Sequence, residues 1–445
     1  MRRLWQLTPI PVLLLLGWGG LAYARRDPAP EAPSLVLLAT GESLGHLEPC
    51  ECVSGMSGGF PRRLSALERE GKREVPLLHV DTGDLTASGV HHPRLLTLKT
   101  QAALELLARG GVDAVAVGEH DLRLGAKALA RFAKEAGVPL LLANAEDSPF
   151  PGSRVVEKGG RRVWLAAVLD PKLEDPTGEL ELTDPAAALR RELADAPEGA
   201  LRVVLFHGSR TRMLELLPAD LGVGVIVCGH EQKQPGDLAQ HGEAWVVESV
   251  RDARSLARLA FPKQGDPTLT RIELDEGVPD ESWARERVDR YYDAVRSLPE
   301  PPRKPVKAGG GFVGAQSCAG CHQEQYAIFE KTKHHGVQAR VIKARPEVAD
   351  VSECIRCHVT GYGFESGFES MRLTRQLGEV GCESCHGVGE NHVTAAPHKK
   401  RGYGVRAGFP ESWRAHCVQC HDPSNSPDFD FEAAMKRIKH WKDRK

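Results

Sequence analysis

Four copies of one five-residue pattern govern the C-terminal part of this chain: Cys318-Ala-Gly-Cys321-His322, Cys354-Ile-Arg-Cys357-His358, Cys382-Glu-Ser-Cys385-His386 and Cys417-Val-Gln-Cys420-His421. The 11 cysteines and 18 histidines of 445 residues would produce about 0.01 such patterns by chance. Between Val313 and Lys445 stand eight of those cysteines and ten of the histidines, but only two leucines, Leu373 and Leu377. A segment so poor in aliphatic side chains cannot build an ordinary core. The pattern supplies one. Two thiols three positions apart can bond the two vinyl groups of one porphyrin, and the imidazole that follows reaches its iron. Four covalent haem c groups are expected, with their flat apolar faces as the interior. Paired C-x-x-C units can instead make Cys₄ zinc sites, but a histidine after every pair and the leucine deficit weigh against zinc.

Each iron has a sixth position, and His334, His335, His392, His398, His416 and His440 are the spare imidazoles. A second histidine makes a low-spin, electron-transferring iron, whereas a five-coordinate iron can take a small molecule. The stretches "ECIRCHVTGYGFESGF", "VGCESCHGVGENH" and "CVQCHDPSNSPDFDF" resemble the tetrahaem cytochrome c-554 family of periplasmic electron carriers, from about Val313 to His440. That resemblance implies distal ligands at His334, His392 and His440, which closes three irons and leaves one open. His335 beside His334 leaves that assignment open between the two.

The front of the chain is chemically different. "MRR", the apolar "PIPVLLLLGWGGLAYA" and the closing Ala22-Tyr23-Ala24 read as a secretory signal peptide over residues 1–24. The alternative, an uncleaved membrane anchor, needs a longer apolar run. Export to the periplasm or beyond puts the cysteines in an oxidising compartment. With 58 basic against 60 acidic residues, net charge points to no nucleic-acid partner. Over residues 32–276 buried strands ("SLVLLAT", "VPLLHVD", "DAVAVG", "VPLLLANA", "RVVLFHG", "VGVIVCGH") alternate with helical patterns at Leu95–Gly111 and Ala187–Ala196. "EAWVVESV" and "LTRIELD" then follow with no helix between, so a layered α/β domain with mixed sheets is expected. Residues 277–312 read as a charged helix and a Pro/Gly linker, and residues 313–445 as a mainly α, haem-cored multihaem cytochrome c domain.

The α/β part resembles the 5′-nucleotidase and metallophosphoesterase family, whose loops after successive strands hold two divalent metals about 3.5–4 Å apart. "TGESLG", "DTGDLTASG", "VGEHDL", "LFHG" and "CGHEQ" carry the likeness, in the family's order. It implies a layered sandwich of that type and, for one metal, the ligands Asp84, Glu119, His207 and His230. For the other metal Glu42 stands in place, but Leu44 and Gln232 replace two histidines; leucine cannot ligate and glutamine is a weak ligand. One divalent ion is therefore expected at most. His120 matches the family's catalytic acid. Cys50 and Cys52, in "TGESLGHLEPCEC", have three readings: a redox-active pair exchanging electrons with the haems, a soft-metal site with His46, or a disulfide, together or with Cys228.

These readings make the chain a periplasmic haem electron carrier or oxidoreductase fused behind a degenerate metallophosphoesterase-fold domain. Its partners are then redox proteins and a small-molecule substrate, with a membrane only if the leader is retained. A metal-dependent phosphoesterase with an attached electron carrier is the alternative, and a docking module for a sulfur- or nitrogen-compound enzyme is a third.

Overall fold

The computed structural model describes residues 33–49, 57–86, 93–230, 234–300, 302–306, 310–346, 349–395, 411–421, 426 and 429–440. The leader, Cys50, Cys52, Gln232 and His398 lie outside the described residues.

Two six-stranded sheets form the front module. Its strands, in chain order, are β1 (Leu35–Thr40), β2 (Leu77–Asp81), β3 (Ala114–Ala116), β4 (Leu140–Leu141), β5 (Ser153–Lys158), β6 (Arg161–Leu169), β7 (Leu201–His207), β8 (Val225–Gly229), β9 (Ala239–His241), β10 (Ala244–Glu248), β11 (Ser255–Phe261) and β12 (Thr268–Glu273). The first sheet runs β12-β11-β1-β2-β3-β4 and the second β5-β6-β7-β8-β10-β9. From β1 to β4, and from β6 through β7 and β8 to β10, the strands are parallel, and antiparallel pairs close the flanks. The expected mixed sheets are present. Strand β6 ("RRVWLAAVL"), which the sequence reading passed over, pairs with β7 inside the second sheet.

Continuous apolar runs follow from burial on both faces. Leu35, Leu37 and Ala39 meet Val203, Leu205 and Val227 of the other sheet, while Val36 and Leu38 turn outward to Ala66 and Leu67. Likewise Val163, Leu165 and Ala167 of β6 face the inter-sheet core, and Trp164, Ala166 and Val168 face Leu189 and Met213. Burying each large apolar side chain contributes roughly 1.5–3 kcal/mol.

The covering helices of this module are α1 (Phe60–Gly71), α2 (Pro93–Arg109), α3 (Glu119–Leu122), α4 (Ala126–Ala136), α5 (Pro185–Leu193), α6 (Arg210–Leu216) and α7 (Ser282–Arg296). Helix α7 is the charged helix expected in 277–312. It is no part of a linker: Ala284, Val288, Tyr291 and Val295 join Leu104, Leu107 and Leu129 in the core over the first sheet. Its start is fixed by Glu281, whose carboxylate accepts from Ala284 N at 2.6 Å.

The back module is a set of short helices: α8 (Gln316–Ala319), α9 (Gln323–Phe329), α10 (Val337–Ala344), α11 (Ser352–Ile355), α12 (Cys382–His386), α13 (Glu390–Thr394), α14 (Glu411–Cys417) and α15 (Phe431–Ile438). Its own apolar clusters are small, one around Val359, Phe368 and Leu377 and one around Trp413, Phe431 and Met435. The leucine deficit thus appears in space: among the described residues the back module has no side-chain core of ordinary size. No described helix is long and apolar enough to cross a membrane.

Candidate metal centre and haem sites

Asp84 and Glu119 follow β2 and β3 of the first sheet, while His207 ends β7 and His230 follows β8 of the second. All four therefore sit at the carboxyl ends of parallel strands, the edge where α/β sheets place their ligands. One donor atom from each lies within 4.8 Å of the others. His207 Nε2 is 2.9 Å from Glu119 Oε2 and 3.6 Å from Asp84 Oδ2. His230 Nε2 is 3.1 Å from Glu119 Oε1. The imidazoles meet edge to face, centroids 5.5 Å apart.

Several groups orient these ligands. His207 Nδ1 donates to the Thr82 carbonyl at 2.6 Å, which turns its Nε2 toward the cluster. Asp84 has φ 56°, reached through Gly83 at φ 93°, a tight turn that few side chains adopt. Buried Asp121 stabilises that turn by accepting from Asp84 N at 2.9 Å, Leu85 N at 2.8 Å and Gly118 N at 3.1 Å. Asp121 and Thr82 lie inside two of the quoted motifs, but their roles run through backbone contacts that residue spacing does not display. Gly118 has a packing reason: a Cβ there would lie 2.1 Å from Asp84 Oδ1.

The charges respond to this crowding. Burial raises the Glu119 carboxyl, but the hydrogen bonds from His207 and His230 more than offset it and hold it well below the usual range. Burial lowers His207, yet the Asp84 and Glu119 carboxylates carry it well above an ordinary imidazole. For His230 burial is again opposed, chiefly by the Glu119 hydrogen bond, and its pKa rises. Burial first, then the charge of Asp84, pushes Asp121 up to about 8. Two carboxylates and two imidazoles, mostly buried, form a mixed N/O donor set that fits one divalent transition ion.

The remaining expected residues separate. His120 borders the cluster: its N–H donates to Asp84 Oδ1 at 3.1 Å and its Nδ1 is 3.4 Å from Glu119 Oε1. Glu42 is buried, with its carboxylate over Gly229, outside the four-residue cluster. Leu44, buried beside it, offers no donor atom. Cys228 is a free thiol wholly buried beneath the second sheet, among Phe206 and Ile226, and burial raises its pKa far above the usual thiol range.

In the back module the spare histidines sort themselves by distance. Ring centroids are 6.3 Å apart for His322 and His392, 5.9 Å for His334 and His421, and 5.9 Å for His386 and His440. An imidazole nitrogen binds its metal at about 2 Å, so two rings on opposite sides of one iron have centroids about 6 Å apart. Each pair joins one motif histidine to one of the three expected distal residues, and the spacing fits an iron between them. His335 turns away to Glu379, Nδ1 to Oε2 2.9 Å, which leaves His334 as the member of the pair that faces a motif histidine. His416 donates to the Ser384 carbonyl at 2.6 Å. Cysteines of different motifs also approach one another: Cys318 hydrogen-bonds Cys382 and Cys357 hydrogen-bonds Cys420, while Cys385 and Cys417 share one apolar cluster. Glu383, inside the third motif, is buried and accepts from Val313 N, Gly314 N and Gly389 N at 2.7–3.0 Å.

Comparison with known proteins agrees with both halves. Residues 317–387 match the family described as cytochrome c554 and c-prime. Cytochrome c-554 of Nitrosomonas europaea is 31% identical over 140 residues, which are 28% of this chain and 57% of the relative's length. The 5′-nucleotidase precursor of Thermus thermophilus superposes with a TM-score of 0.51 at 22% identity, over 70% of this chain and 67% of that one. The NAD nucleotidase of Haemophilus influenzae gives 0.51 at 14% identity, over 67% and 69%. The front module thus has the 5′-nucleotidase fold, and the C-terminal part carries a cytochrome c554 domain, a family that implies covalent haem c.

Proposed function

We propose that the chain is an exported electron carrier with four covalent haem c groups, fused to an α/β module that holds one divalent ion without hydrolysing phosphate esters. The observation that carries the electron-transfer reading is the set of three imidazole pairs at 5.9–6.3 Å, each joining a C-x-x-C-H histidine to a distant one. Haem iron held by two imidazoles supplies low-spin, one-electron chemistry. The chain's own residues do the rest. The paired cysteines would attach each porphyrin, and His392, His334 and His440 would hold the irons together with the motif histidines they face. The Cys318–Cys382 and Cys420–Cys357 hydrogen bonds, with the apolar cluster that Cys385 and Cys417 share, order the sites as first, third, fourth and second motif.

In the α/β module Asp84, Glu119, His207 and His230 would hold the ion, which supplies Lewis acidity. The second-metal position keeps Glu42 but has Leu44 where a donor is needed, and a single ion cannot clamp both oxygens of an in-line displacement. Hence the module serves redox chemistry: Cys50 and Cys52 form its thiol pair, with a redox protein or small molecule as the exchanging partner. The test is an optical and EPR spectrum of the purified holoprotein together with metal analysis. Four haems, three or more low-spin irons and at most one further metal per chain are expected. Colourless protein, or turnover of nucleotides and phosphate esters with Mn²⁺ or Zn²⁺ supplied, would overturn the reading.

A further inference from the structure

The second haem-attachment motif is the one seated on the α/β module. Val351, heading α11, is wholly buried in the cluster that contains Leu47, Phe60, Leu107 and Tyr291, and Cys354 packs against the same cluster. Among the described residues no cysteine of the other three motifs does so. Beside this contact Arg345, the residue that caps α10, reaches Glu48 of the front module at 2.6 Å and donates to the Pro49 carbonyl at 3.4 Å. The other oxygen of Glu48 takes Arg285 of α7. Glu48 is only 7% exposed, so water cannot stand in for it between the two guanidiniums. A second bridge, Arg296 to Asp350 at 3.1 Å, lies exposed at the rim.

We infer that Glu48 is a positioning residue: by gripping Arg345 it seats the Cys354–His358 haem site on the α/β module and makes that haem, of the four, the one whose potential answers to the α/β module. The route is short. Glu48 holds Arg345 at the C-terminal end of α10, and its chain neighbour Leu47 lies in the same buried cluster as Val351 and Cys354, at the start of the second motif. Freeing Arg345 releases that end of α10 and loosens the seating of Val351 and Cys354 on the cluster. The inference rests on the four-haem reading given under the proposed function.

The test uses the haem-loaded full chain. Redox potentials of the individual haems are measured by optical and EPR-monitored titration in wild type, Glu48→Gln, Arg345→Gln and Asp350→Asn, and the transition belonging to the second site is identified by its displacement in His358→Met. Expected is full haem content throughout. A shift of that one transition is expected in both Glu48→Gln and Arg345→Gln, and none in Asp350→Asn, whose partner is at the rim. In Glu48→Gln the shift should be to higher potential, since a negative charge leaves the site while Arg285 and Arg345 remain. An unmoved transition in both variants, or a joint shift of several haems, overturns the inference while leaving the four-haem reading intact. A wild type without haem removes the earlier reading, and this one with it.

Discussion

Gly118→Ala isolates the metal centre with a single methyl group. Gly118 has φ −96°, which alanine adopts without strain, so the effect is steric. The new Cβ would stand 2.1 Å from Asp84 Oδ1, 2.7 Å from Asp84 N and 2.8 Å from Asp84 Cγ. Ordinary contact begins at 3.4 Å, so the carboxylate must move by more than an ångström. Asp121 Oδ2 accepts from both Asp84 N and Gly118 N and so ties the two backbones together, which keeps Asp84 from shifting as a unit. Overpacking of this kind costs about 1–3 kcal/mol. A carboxylate ligand must also lie about 2.0–2.2 Å from its ion, so a displacement of that size removes Asp84 from any coordination sphere. The assay is urea unfolding, monitored apart from the haem bands, with and without Zn²⁺ or Mn²⁺. Wild type should gain about 2.7 kcal/mol at an ion concentration 100 times Kd; Gly118→Ala should lose the ion-dependent gain. Gly71→Ala, where an added Cβ meets nothing within 4 Å, serves as the control. If Gly118→Ala binds the ion as tightly as wild type, the four-residue centre is misplaced.

Replacing His392 or His440 by alanine should convert one low-spin iron to high spin while leaving haem content unchanged, read by EPR; retention of every low-spin signal would refute the pairing with His322 or His386. Glu383→Ala leaves three backbone N–H groups without their acceptor, and should cost about 3 kcal/mol in urea unfolding of the holoprotein, against a near-zero effect if Glu383 is a bystander. The metal centre should also show a pH dependence of defined sign. His207 and His230 have raised pKa values, so without metal their ion pairs stabilise the fold fully below the unfolded value of about 6.5 and fade as pH rises through the folded values. Glu119, lowered, contributes above its unfolded value of about 4.3 and loses that contribution as pH falls through its folded value. An ion must displace the two imidazole protons, so the stabilisation by added metal should grow with pH as the metal-free contribution declines. A metal-induced Tm increment that is constant from pH 5 to 9 would contradict this.

Much of this architecture was legible in the chain. The strands were visible because both faces of each central strand are buried, which writes them as unbroken apolar runs. The four metal residues came from the likeness of their short motifs to a known family, and the fold gathers them. What stayed hidden acts through space or through the backbone. Asp121 bonds only to amides, and Glu48 matters through arginines far along the chain. The meeting of His334 and His421 cannot be read from spacing, because residues so far apart in the chain come together only in the folded molecule. Helix α7 reads as a charged segment ahead of a linker, yet its Ala284, Val288, Tyr291 and Val295 stripe belongs to the core. Strand β6 begins with two exposed arginines, which masked the apolar run behind them.

The central claim is that porphyrins are linked through thioethers to the four C-x-x-C-H motifs and that three of them are held between the imidazole pairs His322/His392, His334/His421 and His386/His440. Peptide mass mapping combined with EPR of the oxidised, exported protein tests it most directly. The account predicts a haem adduct on each of the four motif peptides and at least three bis-imidazole low-spin signals. Unmodified cysteine peptides, or fewer than three such signals in fully loaded protein, would contradict it.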